Sequence, residues 1–522
     1  MVVVITVMAV TIIHLNMKIT CHTDPKTLHS TAVLAGVYVI VSLLFNLLFC
    51  PCTSPLWNRL IGDQAMFSII GENWANGLLP YVSTWDSKGP LIFFFNMVGH
   101  KIASGEAGIF ILQVLNMAGV LLISHLYMRR WCRLGHELLF QLLFMMNYVI
   151  ICSYGGNQVG DSTQLLGTWA VMCAYDWSRG LELRRYAHPW QNAVVYGMFT
   201  AGCLLSRLTN SLVILTIAGI AAVILIWHRL WRNLLANILG FVLGFAIVFL
   251  PFAVYFAWHG AFGEMWYATF TYNLDYAAKS TTAQWPGISL AIHRVAFAMC
   301  LLLPLAVGVI SLIDRQRRAV ALVWSLAVLT ALAWIVNSYC FSHYFLSFMP
   351  VLLVAFMELA AHAHAGRTAQ WILGLSAAFI TSWALYEACI LPKLFGKDVI
   401  VEKSVALTHD IPLSNPMIAY NIDATYYRYS HHLPCYRFFC FQDWAIQNSP
   451  SLRPKVRECF KSGKAKWVLV AQYNTSAIKG LLDNDYTVYR RDVASDLLLF
   501  KRKANRILSK KKGLKSLHGS AR

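Results

Sequence analysis

Long apolar segments, separated by short polar loops, occupy most of the chain between residues 31 and 391. A helix needs about 20 residues to cross a bilayer, and about eleven segments reach or approach that length. A further apolar segment, 91–103, has only about 13 residues and is short for a span. The pattern predicts a polytopic α-helical membrane protein with spans at 31–50, 107–128, 137–152, 161–177, 190–206, 208–228, 234–257, 289–311, 319–337, 344–362 and 370–391.

Basic residues collect in alternate loops of this pattern. Loops rich in Lys and Arg normally face the cytoplasm. The basic clusters fall on one side only if 91–103 does not cross, which favours a position for that segment along the outer interface. A cytoplasmic N-terminus and an outer C-terminus follow. The clusters are Arg129 to Arg133, Arg179 to Arg185, His228 to Arg232, Asp314 to Arg318 and the neighbourhood of Arg367.

The composition excludes an ordinary soluble domain. The 522 residues are 58% hydrophobic and 13% charged, with a mean hydropathy of +0.54, whereas soluble domains carry roughly 25% charged residues. The net charge of +19 is therefore interpreted as a topology signal and not as nucleic-acid binding. The 13 cysteines show neither a CxxC pair nor zinc spacing. A disulfide is left open among the outer cysteines, which are Cys50, Cys52, Cys435, Cys440 and Cys459.

Four parts of the chain differ in composition. Residues 1–30 precede the first span, and their apolar start is either an extra hydrophobic segment or lies ahead of a natural start at Met17. Residues 31–391 form the membrane domain, with 51–106 as its first outer loop. Residues 392–500 are predicted to form a small α/β domain outside the membrane. The basic tail, 501–522, either contacts anionic lipid head groups or is simply solvated.

The predicted outer domain is assigned from short apolar runs bounded by turn residues. Three such runs read as strands, and one segment between the second and third reads as a helix. The strands are expected at 417–420, 467–470 and 497–500, and the helix at 475–483.

The first outer loop carries charged residues beside apolar ones. Asp63 precedes an amphipathic run, so it is either a helix N-cap or a residue with a chemical role. Asp86 opens the turn Asp-Ser-Lys-Gly-Pro, whose residue types suit a turn on their own account. Lys88 within that turn either snorkels to the interface or meets a lipid phosphate. This loop is the strongest candidate for a functional site.

Later outer loops add polar groups at the same membrane depth. Asp161 stands at the head of a span, where it is either an N-cap or a second functional acid. Arg207 ends a tight helical hairpin, where an isolated cation is costly unless it is paired or hydrated. His343 and Tyr344 lie in a late polar and aromatic segment. A transport path would need polar groups at several depths, so the pattern favours chemistry at the surface on a lipid-linked substrate.

The stretches Gly-Leu-Leu-Pro-Tyr81 and Trp-Asp86-Ser-Lys88-Gly-Pro-Leu91, which follow an acid after the first span, resemble the first outer loop of the GT-C membrane glycosyltransferases. The family 39 type is the nearest in pattern, with protein O-mannosyltransferases and lipid A aminoarabinose transferases. The resemblance implies a GT-C fold of about 11 spans with a small α/β extracytoplasmic C-terminal domain. It also implies a multi-pass protein of the bacterial inner membrane whose active site faces the periplasm.

The resemblance further implies a role for each site residue. Asp63 would be a general base on a hydroxyl acceptor, and Asp161 a second catalytic acid, although Gln158 fits the second position as well. Lys88 and Arg207 would contact the donor phosphate. The remaining site neighbours would be Asp86, Tyr81, His343 and Tyr344.

The expected partners are a polyprenyl-phosphate sugar, an acceptor glycan, lipid or protein, and membrane lipids. A divalent metal ion (Mg²⁺, Mn²⁺ or Zn²⁺) held by Asp63 and Asp161 is left open. One-step displacement would invert the anomeric centre, and a cation would stabilise the departing phosphate. The alternatives are a flippase for lipid-linked sugars, a non-catalytic membrane scaffold, and a ligase that uses a longer lipid-linked glycan.

Overall fold

The computed structural model of the chain describes residues 25–50, 52–57, 62–152, 158–280, 303–309, 311–312, 317–336, 346, 348–363, 367–394, 399–461 and 465–503. Three predicted features lie outside these residues: the apolar segment 1–15, most of the span predicted at 289–311, and the tail beyond residue 503. His343 and Tyr344 also lie outside them. Asp161 belongs to a described helix, but its side chain is not described.

Helices occupy the apolar segments. They are α1 (Pro25–Phe49), α2 (Asp63–Ala75), α3 (Pro90–Ile102), α4 (Ala107–Met128), α5 (Leu134–Cys152), α6 (Gln158–Glu182), α7 (Trp190–Leu204), α8 (Leu212–Trp227, after a 3₁₀ turn Leu208–Ser211), α9 (Trp231–Trp258), α10 (Phe262–Trp266), a π-helical segment Tyr267–Thr271, α11 (Tyr272–Ser280), α12 (Arg318–Val336), α13 (Met349–Ala363) and α14 (Arg367–Leu394).

Four helical stretches of the described chain are long and apolar enough to cross a membrane by length and composition. They are Ala32–Phe49, Ala107–Met128, Leu208–Trp227 and Trp231–Trp258. Shorter apolar helices cover Leu134–Ile150, Arg318–Ala331 and Met349–Ala361. The chain is thus an integral membrane protein, and the count of about eleven crossings stays a prediction. The segment predicted along the interface forms α3, a helix of 13 residues.

Glycines let α7 and α9 pack with their backbones in contact. A Cβ atom on Gly197 would lie 2.0 Å from the carbonyl oxygen of Phe241, and one on Gly244 would lie 1.9 Å from that of Val194. Side chains at these positions would force the helices apart. Close approach through small residues is the usual way in which membrane helices associate, since burial from lipid supplies little hydrophobic drive.

The part of the chain after residue 398 forms α15 (Val399–Thr408), β1 (Met417–Tyr420), α16 (Thr425–Ser430), α17 (Gln442–Asn448), α18 (Leu452–Lys461), β2 (Trp467–Ala471), a 3₁₀ turn Tyr473–Thr475, α19 (Lys479–Asp485), β3 (Tyr486–Asp492) and β4 (Leu497–Arg502). The sheet order is β1-β2-β4-β3. β1 and β2 are parallel, and β4 pairs antiparallel with both β2 and β3.

The sequence located three of these strands and missed β3. The buried strands β1 and β2 are apolar throughout, whereas β3 reads Tyr-Thr-Val-Tyr-Arg-Arg-Asp and is mostly exposed or half-buried at the sheet edge. The helix predicted at 475–483 is displaced. Its first residue, Thr475, ends the 3₁₀ turn, Ala477 donates its backbone N–H to the carboxylate of Asp443, and the helix begins only at Lys479.

The expectation that α2 is an amphipathic helix is wrong. Its polar residues Gln64 and Ser68 are buried together with its apolar ones. The reason is that α3 packs on one side of α2 and α16 packs on another. A helix covered by the C-terminal part of the chain no longer needs a polar outer face.

The helix bundle has two polar ends. Glu106 lies directly before α4 and accepts a hydrogen bond from Ser68, whereas Arg130 lies directly after α4 and pairs with Asp176. α4 has 22 residues, so about 33 Å separate these groups. We call the end that carries Ser68, Glu106 and Lys88 the Lys88 end. The opposite end, with Arg130, Arg179 and Arg317, is called the Arg179 end.

Candidate functional site

The turn from Trp85 to Leu91 is held by backbone hydrogen bonds to two distant parts of the chain. The Trp85 N–H donates to the carbonyl of Arg437 at 2.8 Å, and the Leu91 N–H donates to the carbonyl of Leu205 at 2.9 Å. Between them, a Cβ atom on Gly89 would lie 2.2 Å from the Leu205 carbonyl oxygen. Only glycine fits there, so Gly89 brings the turn against the end of α7.

Two polar side chains support the same turn from below. The Tyr81 hydroxyl donates to the carbonyl of Lys88 at 2.8 Å, and the Tyr81 ring is fully buried. The Asn273 amide nitrogen lies 2.7 Å from the Ser87 carbonyl and 2.9 Å from that of Thr269. Thr269 belongs to the π-helical segment, and such segments often adjust the aim of a side chain at functional sites. The carbonyls of Ser87 and Lys88, one on each side of the Lys88 Cα atom, are therefore both fixed.

Asp86 and Lys88 form the charged part of the turn. The Lys88 backbone N–H donates to the Asp86 carboxylate at 3.3 Å, and Asp86 is 7% exposed. Burial raises the pKa of Asp86, the nearby Lys88 charge offsets part of that rise, and the Asp63 charge adds to it. The Lys88 side chain is half-buried, and in the described parts of the chain no carboxylate lies within 4.0 Å of its Nζ atom. Its ammonium is thus available to an anion from outside.

Asp63 is the first residue of α2. The N-cap is Gly62, with φ +53°, so the N-cap interpretation of Asp63 does not hold. The Asp63 side chain is exposed, and within the described residues no hydrogen bond to its carboxylate is formed. A negative charge in the first helical turn is favoured by the helix dipole. The charges of Asp63 and Lys88 both influence the pKa of Asp86, so the three side chains share one region.

Arg207 is brought toward this region by its neighbours in sequence. The backbone of Leu205 and Ser206 faces Gly89 and Leu91, and Arg207 follows directly with a half-buried side chain. Of the predicted site, the structure thus assembles Asp63, Tyr81, Asp86 and Lys88, with Arg207 adjacent. The predicted roles of Asp161, His343 and Tyr344 stay predictions, because their side chains lie outside the description.

The C-terminal part of the chain closes over the loop through Arg437. Its guanidinium donates to the Glu264 carboxylate at 3.1 Å and lies 3.4 Å from the Tyr81 carbonyl. Sequence reasoning did not place Arg437 or Asn273 in the site. Asn273 is the second residue of α11, its side chain is half-buried, and its own segment carried no signal specific enough to find it. Arg437 carried no local signal, since its partners lie far away in sequence.

A second polar cluster, at the same end, joins α16 to the loop. Arg428 donates to the Glu72 carboxylate at 2.7 Å and lies 3.3 Å from that of Glu106. Ser68 donates to Glu106 at 2.8 Å and lies 3.0 Å from Nε2 of His100. Burial raises the pKa of Glu106 and, together with the Arg428 charge, lowers the pKa of His100. These partly buried groups satisfy one another and fasten the C-terminal part to the bundle.

A metal ion needs several ligating side chains close together. No group of three or more His, Cys, Asp or Glu side chains among the described residues could hold one. Asp63 is present as an exposed carboxylate, and its expected partner Asp161 has no described side chain. The metal ion expected at Asp63 and Asp161 therefore stays a prediction.

At the level of the fold alone, the predicted resemblance is confirmed by similarity to a solved structure. Among solved structures, the chain is similar to ArnT from Cupriavidus metallidurans bound to undecaprenyl phosphate, with 13% sequence identity and a TM-score of 0.50. The similarity covers 92% of this chain and 99% of that one. No family model matches the chain, and no curated protein matches it by sequence.

Proposed function

We propose that the protein is an inverting glycosyltransferase that moves a sugar from a polyprenyl-phosphate donor to a hydroxyl acceptor. The observation that carries the proposal is Lys88, a cation without a carboxylate partner in the described chain, on a turn fixed at both of its neighbouring carbonyls. The fold is shared with a protein solved with undecaprenyl phosphate bound. An ammonium group on a fixed turn, without a carboxylate partner in the described chain, can form an ion pair with the phosphate of such a lipid.

The reaction needs one bond to form and one to break. The acceptor oxygen attacks the anomeric carbon of the sugar, and the bond from that carbon to the phosphate oxygen breaks. The bonding electron pair leaves with the phosphate, where Lys88 and the neighbouring Arg207 stabilise the negative charge that develops. Asp63 accepts the proton of the attacking hydroxyl. The products are the glycosylated acceptor, with inverted anomeric configuration, and free polyprenyl phosphate.

Rigidity of the turn is what makes Lys88 useful in this scheme. Charge stabilisation by a protein is effective when the groups are oriented before the reaction and need not reorganise during it. The turn meets this condition because Tyr81, Asn273 and the backbone of Leu205 all hold it. Asp86 contributes by accepting the Lys88 N–H and by lying close to the ammonium.

The proposal includes the orientation of the protein and its partners. The Lys88 end faces the periplasm of a bacterial inner membrane, since the basic loops belong to the opposite end and such loops stay in the cytoplasm. The acceptor is a glycan, a lipid or a protein, and the C-terminal sheet lies at the same end as the candidate site. The proposal leaves room for a divalent ion held by Asp63 and Asp161, and chelation tests it directly.

The test is the release of polyprenyl phosphate from a labelled polyprenyl-phosphate sugar by the purified full chain in nanodiscs. Asp63→Asn is expected to lower the rate by about 100-fold or more, because the general base is lost. Asp496→Asn is the matched control, since Asp496 is also exposed but lies in the turn between β3 and β4. It should retain the full rate.

Two outcomes would overturn parts of the proposal. An unchanged rate in Asp63→Asn removes Asp63 from the mechanism. No release by the unaltered protein, across several sugars and acceptor extracts, removes the transferase activity itself and favours a flippase or scaffold. A parallel experiment adds a chelator such as EDTA. Loss of release that is restored by Mg²⁺ or Mn²⁺ would support a metal ion. Full release in EDTA would exclude a metal ion that the chelator readily removes.

A further inference from the structure

A cavity of about 270 Å³ lies at the Arg179 end, far from the candidate site. It is enclosed by α7, α8 and α9, and its walls are almost entirely apolar. Its lining includes Ala193, Ala218, Ala221, Ala222, Ile238 and Phe241. It stands at the Arg179 end because His188, which also lines it, belongs to the loop after α6, and α6 ends there.

The cavity exists because α8 presents small side chains on one face. Ala218, Ala221 and Ala222 fall at helical spacing toward α7 and α9, and Leu215 and Leu225 continue the same face. On the α9 side, Ile238 and Val242 line the cavity and are also 51% and 57% exposed. Side chains that are both lining and exposed mark an opening toward the surface that would face lipid.

The polar groups at the cavity are already satisfied. Nδ1 of His188 lies 2.6 Å from the Asn237 side-chain oxygen, and the Asn237 amide nitrogen donates to the His188 carbonyl at 2.9 Å. Burial lowers the pKa of His188 to about 4, so its ring is neutral at physiological pH. The interior therefore offers neither a charge nor an unmet hydrogen bond, and it suits a hydrocarbon chain.

The rim of the cavity has a different character. The loop between α8 and α9 places Trp227 and Trp231 at the surface, 82% and 58% exposed, as in the aromatic belt of a membrane interface. Arg229 in that loop and Arg232 in the first turn of α9 are exposed. The Leu230 N–H donates to the carbonyl of Leu225, a lining residue, so these arginines lie within a turn of the cavity wall.

We propose that this cavity binds one acyl chain of an anionic phospholipid, whose phosphate contacts Arg229 and Arg232. The apolar interior takes the hydrocarbon, the two tryptophans mark the depth of the head groups, and the two arginines supply charge complementary to the phosphate. The site is independent of the proposed transferase activity. Its ligand is a bulk phospholipid, and its position is at the other end of the bundle from Lys88.

The test is native mass spectrometry of the full chain, released from detergent after equilibration with phosphatidylglycerol or phosphatidylcholine of identical acyl chains. Retention of phosphatidylglycerol over phosphatidylcholine is expected. Ala222→Phe fills the cavity and should abolish the retained lipid. Val223→Phe is the matched control, because Val223 is the next residue of α8 but is 63% exposed. Ala218→Met provides a milder filling variant if Ala222→Phe does not fold.

The charge at the rim is tested separately. Arg229→Gln and Arg232→Gln should each weaken phosphatidylglycerol retention about fivefold, the effect of one basic residue near an anionic surface. Arg133→Gln, an exposed arginine in the loop between α4 and α5, should change nothing. Equal retention of both lipids by the unaltered protein would overturn the anionic preference. Equal retention by the Ala222→Phe and Val223→Phe variants would overturn the cavity as the site.

Discussion

Basic residues at the two ends of the helix bundle differ in whether a carboxylate pairs with them. At the Arg179 end, Arg317 donates to the buried carboxylate of Glu358 at 2.8 Å, and Arg179 lies 4.0 Å from the same group. At the Lys88 end, the turn is held by backbone and amide hydrogen bonds, and Lys88 has no carboxylate within 4.0 Å in the described chain. Ion pairs hold elements together at both ends, through Glu358 at one and through Arg428 and Arg437 at the other, but Lys88 is left available to an anion.

This difference separates the groups that hold the fold from those that would carry out chemistry. A buried ion pair costs much when one partner is lost, because the remaining charge has no compensation. A half-buried lysine whose side chain pairs with no carboxylate costs little to remove. Substitutions that break the Glu358 ion pairs should therefore lower stability, and substitution of Lys88 should lower activity.

The largest effect is expected for Lys88→Met. Removing one preorganised charge from a developing anion typically lowers a rate by about 100- to 1,000-fold, or about 2.7–4 kcal/mol. The rate of polyprenyl phosphate release measures it, while thermal unfolding should change little. Lys101→Met is the control, since Lys101 is an exposed lysine at the end of α3. An equal loss in both variants would mean that charge at this end acts in general and not through Lys88.

The second effect concerns Glu358→Gln at the Arg179 end. The substitution keeps the shape of the side chain and removes the charge that faces Arg317 and Arg179. Loss of a buried partner costs about 3–5 kcal/mol, and we expect about 2–3 kcal/mol because both arginines are partly exposed and the amide retains hydrogen bonds. The unfolding temperature in detergent should fall.

Activity distinguishes the two ends in the same experiment. The Glu358→Gln protein that remains folded should release polyprenyl phosphate at the unaltered rate. A stable but inactive variant would contradict the proposed difference between the two ends, because it would mean that catalysis needs Glu358 at the Arg179 end.

The smallest effect is expected for Asn273→Asp. The change sets a carboxylate oxygen against the carbonyls of Ser87 and Thr269 in place of the amide donor. The turn should loosen, and the release rate should fall about tenfold, or about 1.4 kcal/mol. Asn273 is a positioning residue that acts through Lys88, so the double variant with Lys88→Met should be no slower than Lys88→Met alone. Additive losses would contradict that role.

Prediction from the sequence succeeded where periodicity and length carry the information. The apolar segments that the structure describes are helices, and the strands at 417–420 and 467–471 were located within a residue. α2 was located but its surroundings were not, because burial of Gln64 and Ser68 depends on α16, which is more than 350 residues away. An edge strand such as β3 has no apolar pattern to reveal it.

The candidate site divides in the same way. Asp63, Asp86 and Lys88 are neighbours in one loop, so their residue types and the turn residues between them were enough to nominate them. Asn273 and Arg437 were missed, because what matters about them is a contact with the loop and not a property of their own segments.

The sequence by itself determined that the chain is a helical membrane protein with a charged loop after its first span. The lengths of apolar segments and the residue types of turns are local properties that can be read directly from the sequence. Tertiary structure alone decided that the loop is rigid. Gly89 meets Leu205, Tyr81 meets Lys88, and Asn273 meets Ser87 only after the helices have packed. Long-range packing sets where a charge points and whether it has a partner, and no local pattern contains that information.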